Sequence, residues 1–107
     1  MARNSFPLKP LTGAAGAMVV QNITTGAASV KATNPVSDQT YAVQLSCTAD
    51  CWVMFNATSA GAVATASNSF LVKATDKPLR IGISPGEYIA ALQKTATGTL
   101  NILELTH

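Results

Sequence analysis

Eight short β-prone runs, each closed by turn-forming residues, limit what this chain can become more than any other feature. They cover residues 17–23, 27–32, 39–47, 51–55, 69–73, 79–83, 88–93 and 98–105. Between them stand Asn34-Pro35, Asp50, Asp76-Lys77-Pro78, Ser84-Pro85-Gly86 and Thr97-Gly98. Each is a turn signal with a cause: proline fixes φ and cannot donate to a ladder, glycine tolerates φ > 0, and Asn and Asp bond their own backbone. Short strands punctuated this regularly predict an all-β sandwich or barrel.

The run 39–47 gives the clearest period of two, with Tyr41, Val43, Leu45 and Cys47 alternating with Ala42, Gln44 and Ser46. One face is therefore expected in the core and the other against water or a partner. The last run places Leu100, Ile102 and either Leu103 or Leu105 around Asn101 and Glu104, and adjacent Ile102 and Leu103 point to burial on both faces or a bulge. No segment carries a helical stripe. Residues 57–66 are rich in Ala, but Gly61 and the interspersed Ser and Thr favour a loop. Eight strands close into one barrel or pack as two four-stranded sheets, of which the jelly roll is the commonest form. Residues 1–16, with Pro7, Pro10, Gly13 and Gly16, show neither period and read as an extended N-terminal arm before a single β-sandwich domain over 17–107.

With 107 residues the chain has the size of one small domain, and its 22 Val, Ile and Leu residues fill one thin core. A core this small is marginal alone and gains from oligomerisation. Only 11% of residues are charged, against roughly 25% in an ordinary soluble domain, so Ala, Thr, Ser, Asn and Gln cover the surface. That exterior suits contact with other protein. Seven Lys and Arg against five Asp and Glu do not make the dense phosphate-neutralising patch that nucleic acid demands. No apolar run reaches membrane-spanning length, and residues 1–11 lack the apolar core of a signal peptide.

Catalytic chemistry has little to work with. His107 is the sole histidine and the only conventional base for a Ser, Thr or Cys nucleophile. Asp38, Asp50, Asp76, Glu87 and Glu104 are spread singly, the first four in or beside turns. Phosphate-binding glycine patterns and a four-ligand metal set are missing, so no enzyme activity, cofactor or metal is expected. Cys47 and Cys51 bracket a three-residue turn whose flanks can approach to disulfide distance, but two small buried hydrophobes are the favoured reading. Trp52 and Met54 point to one side of their strand and Val53 and Phe55 to the other, so both faces are apolar. One is core; the other covers a loop or meets a partner. Lys73, Lys77 and Arg80 cluster around the Asp76-Lys77-Pro78 turn, a solvated tip or an anion site.

The order of these segments is familiar. Val43 to Phe55 runs through the Cys47–Cys51 turn, a Thr/Ala/Ser loop leads to Ser69-Phe70-Leu71-Val72, and Leu79-Arg80-Ile81 precedes Ser84-Pro85-Gly86-Glu87. Tyr88-Ile89-Ala90-Ala91-Leu92 and a closing Gly98-Thr99-Leu100-Asn101-Ile102-Leu103-Glu104-Leu105 complete it. Over about the last two-thirds of the chain this resembles small virion proteins of tailed bacteriophages, particularly jelly-roll head decoration, or cement, proteins. The resemblance implies a protein made in the bacterial cytoplasm that assembles as a homodimer or homotrimer on the outer capsid surface of the virion. There it clamps neighbouring copies of the major capsid protein. Phe6, Leu8 and Leu11 are the expected anchors in the arm, with Trp52 and the 73–80 turn as further contacts. A receptor- or glycan-binding module of a tail fibre or baseplate is the alternative, with Trp52 near Asp50 and Tyr88 near Glu87 as its candidate sugar pairs.

Overall fold

The structure is a computed structural model and describes residues 8–13 and 16–106. Among them are nine strands: β1 (Lys9–Pro10), β2 (Val20–Thr24), β3 (Val30–Lys31), β4 (Ala42–Cys47), β5 (Cys51–Asn56), β6 (Phe70–Val72), β7 (Leu79–Gly82), β8 (Tyr88–Gln93) and β9 (Thr99–Thr106). No helix occurs among the described residues. Sheet 1 has the order β2-β9-β4-β7, with β1 sharing the β2 edge of β9; sheet 2 has the order β3-β8-β5-β6. All pairings are antiparallel. From β2 onward only the β5–β6 connection stays within one sheet, and this alternation between sheets is the jelly roll.

The packing follows from side-chain alternation. Ile23, Val43, Leu45, Leu100 and Ile102 from sheet 1 meet Cys51, Val53, Val72, Ile89 and Ala91 from sheet 2 in one core. Phe55 and Phe70 close its side edge-to-face, with ring centroids 5.6 Å apart. The inward row of β9 continues from Leu100 and Ile102 to Glu104, which is 1% exposed. Its carboxylate Oε1 accepts from the Ser37 N–H at 2.9 Å and the Thr40 hydroxyl at 2.7 Å, so the β3–β4 link caps that end of the sandwich. Gln21 fixes the same link by exchanging two hydrogen bonds with the Asn34 backbone.

Two expectations need correction. Residues 1–16 do not all form a free arm, because Lys9 pairs with Thr106 and Pro10 with Leu105. Pro10 obscures this strand in the sequence, yet an edge position tolerates a residue without an N–H. The chain then leaves β9 after Leu11, makes a Thr12–Met18 bridge, and returns at Val19. Glu104 marks the gap on both sides: its carbonyl accepts from Leu11 N at 2.9 Å and its N–H donates to Val19 O at 3.1 Å. The second correction concerns Glu104 itself, which faces inward, opposite to Asn101 on the same strand.

Candidate interaction surface

The two outer faces of the sandwich are built from different materials. On sheet 1 the register aligns Asn22, Asn101 and Ser46 in one row, and Val20, Leu103, Gln44 and Arg80 in the next. Asn101 Nδ2 donates to Asn22 Oδ1 at 3.0 Å and Arg80 Nε donates to Gln44 Oε1 at 2.9 Å. Val20 is 42% exposed and Leu103 is half-buried between these polar pairs. Met18, on the excursion that leads into β2, is 57% exposed. Farther along, Ala42 and Leu105 are register partners and both are buried.

On sheet 2 the outer face lies beneath the chain itself. The 57–69 segment between β5 and β6 folds back so that Ala62 and Ala64 pack on Ala90, against Met54, Tyr88 and Leu92. Small side chains permit this close approach. The segment is held by its own polar groups: Asn56 Oδ1 accepts from the N–H and hydroxyl of Thr58, and Asn68 Oδ1 accepts from Thr65 N and the Ser69 hydroxyl. Ala64 N donates to Ser29 Oγ at 2.8 Å, and the Lys31 ammonium donates to Ser59 while lying 5.6 Å from the centre of the Tyr88 ring. A Cβ on Gly61 would lie 2.5 Å from Asn56 Oδ1 and displace the side chain that anchors Thr58. Trp52, half-buried, lies on the same face between its register partners Leu71 and Leu92.

Of the residues singled out in the sequence, Leu8 and Leu11 are half-buried and flank β1, whereas Phe6 lies outside the described residues. Lys73 and Lys77 are exposed in the β6–β7 link, a turn closed by Asp76 N donating to Lys73 O at 3.2 Å. Arg80 is exposed too, but its Nε is engaged by Gln44 on sheet 1. Asp50 Oδ1 accepts from Ala74 N at 2.8 Å and Glu87 Oε1 from Ser84 N at 3.0 Å, so each carboxylate caps a turn. Cys47 and Cys51 are free thiols at the β4–β5 corner, half-buried and buried respectively. Burial raises the proton affinity of both thiols, and Cys51 is pushed up to about 12, with the Cys47 sulfur and Asp50 adding to the effect.

Sequence reasoning missed the Val20–Leu103 strip and the inward Glu104. Alternation along β9 alone separates Asn101 from Glu104 by parity, and that signal places the two on opposite faces. Among the described residues no three His, Cys, Asp or Glu side chains gather as a metal site, and no pocket opens in the surface. Among the described residues no helix is long and apolar enough to cross a membrane. No protein family, curated protein or solved structure matches this chain.

Proposed function

We propose that this chain is a bacteriophage virion protein that decorates the outer surface of the major capsid shell and stabilises it. The observation that supports this most is the apolar strip of Met18, Val20 and Leu103, which stays open on the edge and outer face of sheet 1. It borders the β9 edge along which the N-terminal segment enters the sheet. A low-charge, amide-rich face of this kind loses little on desolvation when flanking Asn and Gln side chains find new partners. Burying each apolar side chain of the strip contributes about 1 kcal/mol, and repetition over many identical sites on a shell multiplies weak single contacts. Self-association as a homodimer or homotrimer fits the thin core and belongs to the same proposal.

The glycan-binding alternative has less to stand on, because the carboxylates beside Trp52 and Tyr88 already accept backbone N–H groups. Quantitative mass spectrometry of purified particles against the major capsid protein tests the proposal. Hundreds of copies, with stripped shells failing at lower temperature and regaining stability when the protein is added back, are expected. A handful of copies with unchanged shell stability transfers the protein to the tail, and none removes the virion reading. Deleting residues 2–7 leaves β1 intact and is expected to weaken rebinding of stripped shells; unchanged rebinding removes the arm from the interface.

A further inference from the structure

We propose that Cys47 and Cys51 are an oxidisable pair that closes into a disulfide by exchange with a small-molecule disulfide, stapling sheet 1 to sheet 2 at one end of the sandwich. The proposal stands apart from the capsid reading and rests on the β4–β5 corner alone. Cys47 ends β4 in sheet 1 and Cys51 begins β5 in sheet 2, so a bond between them spans the two layers. Both side chains enter the same core cluster. Cys47 Sγ lies 3.5 Å from the carbonyl oxygen of Val72, and Val72 is the register partner of Cys51 on β6. The Cys47 sulfur therefore reaches across to the backbone beside Cys51, close enough for each thiol to perturb the other's acidity.

The corner is held in place from outside. Thr48 N donates to Thr99 O at 3.0 Å, and Thr99 N donates to Thr48 Oγ1 at 2.9 Å. Gly98 lies so near that a Cβ on it would come within 2.9 Å of Ala49 N. A fixed turn keeps the sulfurs together in the reduced protein, which favours ring closure over capture by a second chain. The two thiols also differ in access: Cys47 is half-buried and Cys51 is fully buried. That difference sets the order of events.

The Cys47 thiol loses its proton to water, and the thiolate attacks one sulfur of the small disulfide, whose S–S bond breaks to release one small thiol. Cys51 then loses its proton and attacks the Cys47 sulfur of the mixed disulfide, releasing the second small thiol. The protein gives up two protons and two electrons, and the small disulfide takes them up as two thiols. The high proton affinity of Cys51 makes the second step slow and steeply dependent on pH.

Oxidised glutathione, incubated with the folded full chain at mildly alkaline pH, tests this. The expected product is a monomer lighter by two hydrogens, with the bond mapped within the peptide carrying residues 47–51 and the original mass restored by dithiothreitol. Cys51→Ser is expected to stop at a glutathione adduct on Cys47, and Cys47→Ser to remain unmodified while folded. Two thiols still titratable after unfolding the treated protein, a bond between chains, or faster modification of Cys51 than of Cys47 overturns the proposal. Should either variant fail to fold, mapping the first adduct during partial oxidation of the unmodified protein decides the same question: Cys47 supports it and Cys51 refutes it.

Discussion

On sheet 2 the outer face lies under the chain's own 57–69 segment, with Ala62 and Ala64 pressed on Ala90; on sheet 1 Val20 and Leu103 remain open between amide pairs. Both faces are apolar in part, so hydrophobicity alone does not separate them. The difference lies in what the fold supplies as a cover. The β5–β6 connection is the one link after β2 that returns to its own sheet, and its length lets it lie across that sheet instead of spanning the sandwich. Among the described residues no equivalent connection covers Val20 and Leu103, whose neighbours pair as Asn22 with Asn101 and Gln44 with Arg80. One face is covered within the described chain, and the other leaves Val20 exposed.

The most severe test of this contrast is Ala64→Asp, which buries a carboxylate beneath the lid. We expect a loss of about 3 kcal/mol or more in denaturant unfolding, since the carboxylate would leave water for a site packed by Ala90, Met54 and Leu92. A loss below about 0.5 kcal/mol would show that the segment does not cover sheet 2. A perturbation between the sheets supplies the reference for both faces. Burial holds the Cys51 proton in the folded state up to about 12, above its ordinary value of 9.0. The stabilisation is present below pH 9, and between that pH and the folded value the unfolded chain releases a proton that the folded chain keeps. Stability is therefore expected to fall as pH rises through this window, by no more than about 1.4 kcal/mol per pH unit, and Cys51→Ala is expected to flatten the slope. An identical slope in the variant would remove the thiol from the account. The smallest effect on folding belongs to Val20→Asp, about 1 kcal/mol or less, because the side chain is 42% exposed and mainly its strand preference is lost. The same substitution is expected to abolish rebinding to stripped shells, and a variant that rebinds normally would break the link between the open strip and the capsid.

The strands were legible where alternation and turn chemistry agreed. Residues 88–93 match β8 end to end, and the 51–55 run lacks only Asn56 of β5. The loop reading of 57–66 also holds, although nothing local indicates that its alanines face Ala90. That contact depends on β8, more than twenty residues downstream in the chain. Glu104 fails for a related reason: its partners, Ser37 and Thr40, lie 67 and 64 residues away, and a carboxylate read without them belongs outside. In β1 the local signal points the wrong way, since Pro10 argues against a strand until an exposed sheet edge is available to receive it. The open strip on sheet 1 was hidden because Val20 reads as an ordinary strand residue, and only its register with Leu103 assigns it to the solvent side.

The place of β9 in the sheet order carries a consequence for synthesis of the protein. It is flanked by β1 and β2 on one side and β4 on the other, so three strands made earlier wait for the eight residues of Thr99–Thr106 before sheet 1 has a centre. Sheet 2 can bring β5 and β6 together sooner, but β3 and β5 join only through β8. A ribosome must therefore release nearly all of the described chain before the sandwich can close, and pairings this distant in sequence belong to the slow, millisecond-to-second class of folding. During that interval the strand edges destined for β9 are unpaired and open to other nascent copies.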